Sequence, residues 1–358
     1  MRKILILLTI IVILPLFSLK IAAEDKAEGF ISDFSEILPD GFDSLADTDG
    51  ITSYADGESI LSYIVGALSG ERGSIISFLM TLLGSAVLIS VASLSHDRLS
   101  GQAEGAVGFI SSVLIFSSLA PILTRVSEAI SSISRFFAAL IPIATGITAL
   151  GGGSATASTQ AVGMYTALST VGGIGGEIFL GLSAFGLALS LISPLGNEGI
   201  GSVIRGLRGL FGWVTGIFTA LITAAFSLQT IVASAADSAS MRAVRYAASG
   251  LIPVVGSTVS SAISTLASGL SYAKSIIGGG AVVVILYMAL TPLVLLLIYR
   301  LALTVSGIFA DFAGSAMASR IFSSYRYALD MTVTVYSLST LIYLFEIIIF
   351  TVIGVSAL

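Results

Sequence analysis

The chain has 358 residues, 55% of them hydrophobic and only 10% charged, with a mean hydropathy of +1.03, a balance that argues against a water-soluble globule. The absence of cysteine excludes disulfide frameworks, thiolate metal sites and thiol nucleophiles, and the single histidine, His96, excludes a multi-histidine metal centre. The formal net charge of −5 is not spread evenly, and no basic patch interleaved with aromatics points to nucleic acid.

Arg2 and Lys3 precede an apolar run over residues 4–19, and Ile21-Ala22-Ala23 supplies small residues before Glu24. This is the layout of a secretory signal peptide over residues 1–23, with cleavage after Ala23, an uncleaved anchor being the alternative. In either case the segment beginning at Glu24 is expected to be exported. Residues 24–73 form an acidic segment holding 12 of the chain's 21 acidic residues, with Lys26 and Arg72 as its only bases. Phe30, Phe34, Ile37 and Leu38 recur at helical spacing until Pro39-Asp40-Gly41 breaks the pattern, and Ile60, Ile64, Ala67 and Leu68 mark a second short helix. A calcium loop counted from Asp47 fails, because Ile51 stands at a ligand position and Thr52 replaces the turn glycine. The segment therefore reads as solvated and acidic.

Residues 74–358 read as a multi-span helical membrane domain. Spans are expected over 74–94, 105–123 and 133–150, with His96-Asp97-Arg98 in a cytoplasmic loop. The stretch 161–195 is too long for one span and is interrupted by Gly172-Gly173-Ile174-Gly175-Gly176. Ile200, Val203, Ile204, Leu207, Leu210 and Phe211 form an amphipathic seam beside Arg205 and Arg208, expected to lie in the interface before a span over 211–232. A polar loop comes next, over 238–245.

The stretch 251–300 organises the chain. After Pro253 and Gly256, one helix face carries Val259, Ile263, Leu266, Leu270 and Ala273. The opposite face carries Ser257, Ser261, Ser264, Ser268, Ser271 and Ser275, hydroxyls where a soluble helix would carry charge. The serine stripe is expected either to let neighbouring helices approach or to line a hydrated path. It ends near Lys274 and Gly278-Gly279-Gly280, read as a hinge, and a span containing Pro292 succeeds it. Residues 301–319, with Asp311, read as a half-span or interfacial helix, 320–330 as a polar connection, and 331–355 as the last span. Glu346, near the middle of that span, must face protein or water. The simplest arrangement is a protonated carboxyl bonded to Tyr343 or Ser339; a proton relay, or an ion pair with Arg300 or with another subunit, are the alternatives. The fold class is thus an all-α polytopic membrane protein of about six to eight spans, with broken and amphipathic helices and a short exported acidic N-terminal segment. Its 38 glycines favour close helix packing.

Catalytic signatures are missing: no glycine-rich loop leads into Lys-Ser/Thr with phosphate-loop spacing, and a Ser271/Lys274 pair one turn apart reads more simply as an interfacial lysine. No enzyme activity, cofactor or metal is expected. Glycine hinges, broken helices and a hydroxyl stripe would also suit a self-contained secondary transporter, and a passive membrane scaffold is a further alternative.

Ala139-Leu140-Ile141-Pro142 leading to Gly151-Gly152-Gly153-Ser154-Ala155, and Ile252-Pro253-Val254-Val255-Gly256 with Lys274, the glycine run and Pro292 after it, resemble the stage III sporulation protein AE family. The resemblance implies a multi-pass protein of the mother-cell membrane around the forespore in an endospore-forming bacterium. It further implies that the protein acts with the other stage III A proteins and forespore-membrane protein Q in a conduit between the two cells, energised by a separate ATPase subunit. A homo-oligomer is compatible with that role.

Overall fold

The computed structural model describes residues 28–93, 100–151, 154–195, 202–225, 227–228 and 256–352, nearly all of them helical and none in a strand. The expected signal peptide, the His96-Asp97-Arg98 loop, the polar loop over 238–245 and Pro253 lie outside the described residues.

The elements in chain order are α1 (28–37), α2 (Thr48–Ala55), α3 (Gly57–Gly70), α4 (Arg72–Ser93), α5 (Ser100–Leu150) and α6 (Ser154–Ser169). A π-helical stretch over Thr170–Phe179 leads into α7 (Leu180–Leu191), and then come α8 (Ser202–Ala225), α9 (Gly256–Phe312) and α10 (Ala316–Val352). Among the described residues, six helical segments are long and apolar enough to cross a membrane, within the expected range.

Several expected breaks are not breaks. The second and third expected spans are one helix, α5, which runs through Pro121 and Pro142. Gly278-Gly279-Gly280 lies inside the unbroken α9, so it is not a hinge. The glycine interruption in 161–195 is a change of helical pitch to π, with Val171, Gly175 and Phe179 buried. The polar stretch 320–330 belongs to α10 rather than to a connection. The chain actually turns a few residues earlier, where α9 ends in a Schellman motif. Gly314 takes φ 71°, its N–H donates to the Asp311 carbonyl at 3.1 Å, and the Ser315 N–H donates to the Ala310 carbonyl at 2.9 Å.

α10 is the central element. Ile321, Tyr325, Ala328, Thr332, Val335, Ser339, Ile342, Glu346 and Phe350 are all buried on it, at spacings of three and four along its whole length. Phe137 on α5 stacks on Tyr343 with centroids 4.4 Å apart, and Gly186 on α7 comes close enough that an added Cβ would meet the Met331 methyl at 2.4 Å. α9 packs along the other side of α10, and Phe78 on α4 meets Tyr299 on α9 at 4.5 Å.

The acidic segment is not simply solvated. Its acids Glu28, Asp33, Glu36, Asp43, Asp49 and Glu58 are exposed or half-buried, but Phe34 and Leu45 are completely buried. They reach α9 at the glycine run: a Cβ on Gly280 would meet the Phe34 ring at 2.9 Å and the Leu45 carbonyl at 3.1 Å, and Ile51 lies over Gly279. Tyr287, two turns further along α9, gathers Phe42, Tyr54 and Tyr63 around its ring and donates its hydroxyl to the Tyr54 carbonyl at 2.7 Å.

Candidate functional site

The seam between α9 and α10 brings together residues far apart in sequence. Lys274 is buried on α9 with its ammonium 5.0 Å from the centre of the Phe350 ring on α10. Glu346, completely buried, lies one turn before Phe350 on the same helix. One turn beyond Lys274, Gly278 lets Thr351 approach so closely that a Cβ would meet its Oγ1 at 2.2 Å. A basic and an acidic side chain are therefore buried in one seam. Of the two residues expected beside Glu346, Tyr343 shares a hydroxyl hydrogen bond with Ser134 Oγ on α5 at 2.7 Å, and Ser339 packs where Gly175 leaves room for it.

The serine stripe holds as far as side chains are described. Ser268 and Ser275 are exposed and Ser271 half-buried, while Leu270 and Ala273 on the other face are buried. The side chains of Ser261 and Ser264 lie outside the described residues, although both belong to α9, which begins at Gly256. Pro292 is helical and lines a cavity of about 230 Å³ where the α3–α4 junction, α5 and α9 meet, together with Glu71, Arg125 and Leu295. Glu71 and Arg125 form an ion pair there. The hydrogen bond from Arg125 holds the Glu71 carboxyl below its ordinary range, against the opposing effect of partial burial.

Sequence reasoning missed a second constellation. Asp330 on α10 pairs with Arg300 on α9 and with Arg208 on α8, the latter at 3.7 Å. Arg208 also lies over the Tyr327 ring, 4.6 Å from its centre, and Arg326 flanks the same ring at 5.4 Å. Arg300 thus pairs with Asp330 on the neighbouring helix. The signal was available: in a chain with so few charges, an acid and several arginines placed in apolar helices each require a partner. Near α5, Ser112 Oγ donates to the Ser190 carbonyl and meets the Tyr325 hydroxyl at 2.9 Å, joining α5, α7 and α10. Among the described residues no group of acidic residues and histidine is placed to hold a metal ion.

Long helices packed through glycine and serine, polar groups paired between helices, and six segments of membrane-spanning length define a polytopic helical membrane protein. The family model for stage III sporulation protein AE matches residues 44–356, and the chain belongs to that family. It is 23% identical over 235 residues to the stage III sporulation protein AE of Bacillus subtilis (strain 168), a match covering 62% of this chain and 59% of that protein. The aligned stretch therefore spans less than two thirds of the relative. No solved structure matches. Membership assigns the chain a role in sporulation.

Proposed function

We propose that this protein is a non-enzymatic membrane component of the channel or export assembly through which a mother cell supports its forespore. It works with other stage III A proteins and with forespore-membrane protein Q. The observation that carries the reading is the family match over residues 44–356, which includes all six membrane-length segments. The architecture supports it. The unbroken course of α5 and α9 removes the glycine hinge and broken helices on which a self-contained transporter would rest. The π-helical stretch is the feature that keeps the transporter as a second reading.

The test is affinity purification of the tagged, full-length protein from sporulating cells, and then reconstitution of the pure chain into liposomes. Co-purification with the stage III A proteins and no solute flux from the chain alone is the expected result. Flux by the pure chain with no co-purifying partner overturns the proposal in favour of the transporter.

A further inference from the structure

Three features of the α8–α10 seam have no role in the packing described so far. At one end, Arg208 and Arg300 share a single carboxylate, Asp330, and Arg326 flanks the Tyr327 ring beside Arg208, so the cluster keeps a positive excess. The side chains of Arg208 and Arg300 stay about half exposed, at 51% and 46%, and thus available to a further anion. Further along the same seam, a groove of about 240 Å³ opens between Thr219, Ile222 and Thr223 of α8 and Leu338, Leu341 and Phe345 of α10. Its wall is predominantly apolar, and Leu341 and Phe345 remain exposed at 49% and 53%.

The spacing joins these features. Positions 208, 212, 215, 219 and 222 run along one face of α8, and 330, 334, 338, 341 and 345 along one face of α10. From Arg208 to Thr219 is eleven residues, about 16 Å along the axis. That is the reach of an acyl chain from its headgroup. A guanidinium fork is matched to phosphate oxygens, and Arg208 is already oriented by the Tyr327 ring. A soluble anion would use the arginines but not the groove, and a zwitterionic lipid would use the groove but gain little from the arginines.

We propose that the α8–α10 seam is a binding site for one anionic phospholipid, its phosphate held by Arg208, Arg300 and Arg326 and one acyl chain in the groove. The test uses the purified full-length protein in a neutral detergent, with native mass spectrometry and melting temperature as readouts. The probes are phosphatidylglycerol, phosphatidylcholine of matched chains, and inorganic phosphate. Expected is retention of phosphatidylglycerol and a raised melting temperature with that lipid alone. Arg326→Gln, which removes neither of the Asp330 ion pairs, should weaken retention about fivefold, the effect of one arginine beside an anionic headgroup. Thr223→Trp, which fills the groove without touching a charge, should weaken it too. Equal retention of the two lipids, an equal shift from inorganic phosphate, or unchanged retention in Thr223→Trp overturns the proposal. Each variant's melting temperature without lipid separates lost binding from lost folding.

Discussion

Lys274 and Glu346 show how single residues are used in this chain. Each is a costly group in an apolar bundle, yet both are buried in the α9–α10 seam, Lys274 against the Phe350 ring and Glu346 one turn before Phe350 on α10. If the two form an ion pair, replacing one leaves the other's charge buried, a cost of about 3–5 kcal/mol. Lys274→Met and Glu346→Gln should therefore each lower the melting temperature in detergent, and the double variant should recover most of the loss. The measurement is a double-mutant cycle on thermal unfolding. Additive losses would show that the two groups do not sense each other. The sequence marks both residues, Lys274 as the end of a stripe and Glu346 as an intramembrane acid, but not their proximity. Seventy-one intervening positions and the reversal at Gly314 set that proximity, and no local spacing encodes it. The same holds for Asp330 and its two arginines.

At the scale of elements, glycine determines which surfaces touch. Helix periodicity is legible: the start expected for α4 lies within two residues of the observed one, and Leu270 and Ala273 face inward as their spacing requires. What glycine and proline do is not legible. Both weaken isolated helices, yet α5 runs on through the exposed Pro121 and Pro142, and α9 through a glycine run whose Gly278 and Gly280 are buried. The glycine run instead forms a smooth floor for the acidic segment, whose Phe34 and Leu45 rest on Gly280. That segment misleads because its acids dominate its composition while a few large apolar side chains govern its placement. Gly280→Val would drive a branched side chain into the Phe34 ring and into the Leu45 carbonyl, which belongs to backbone and cannot rotate away. Overpacking of this kind costs about 1–3 kcal/mol. The segment should come away while α9 stays folded. Limited proteolysis checks this: cleavage between residues 28 and 70 should accelerate in Gly280→Val, with the remaining helices still resistant. Equal cleavage rates in variant and parent would show that the glycine contact does not hold the segment.

The whole molecule presents more apolar surface than one membrane belt explains. α5 is about 76 Å long and α9 about 86 Å by their residue counts, against a bilayer core of about 30 Å. The Glu71–Arg125 pair marks one level of the bundle, and the Phe78–Tyr299 contact aligns α9 beside α4 just past it. From there Leu79, Leu83 and Val87 on α4, and Val305 and Ile308 on α9, stay exposed away from that level. Facing lipid accounts for them. On the other side of Asp330, Leu341, Phe345 and Ile348 on α10 are exposed as well. A rigid bundle more than twice as long as the bilayer core is thick cannot place all of these side chains in one lipid core. The second set needs its own cover, and the bound phospholipid of the α8–α10 seam supplies it where Leu341 and Phe345 lie. Because the chain has no cysteine, single cysteines report each position cleanly. Cysteine at Leu83 or Val305 should resist a membrane-impermeant thiol reagent in native membranes, and cysteine at Glu58, on the exposed acidic face, should react. Cysteine at Phe345 should be protected in native membranes and become reactive when phospholipid is stripped away in detergent. It should be protected again when phosphatidylglycerol is restored, but not with phosphatidylcholine. Rapid labelling at Leu83 in native membranes would remove α4 from the lipid belt, and rapid labelling at Phe345 there would leave the second apolar surface open to water.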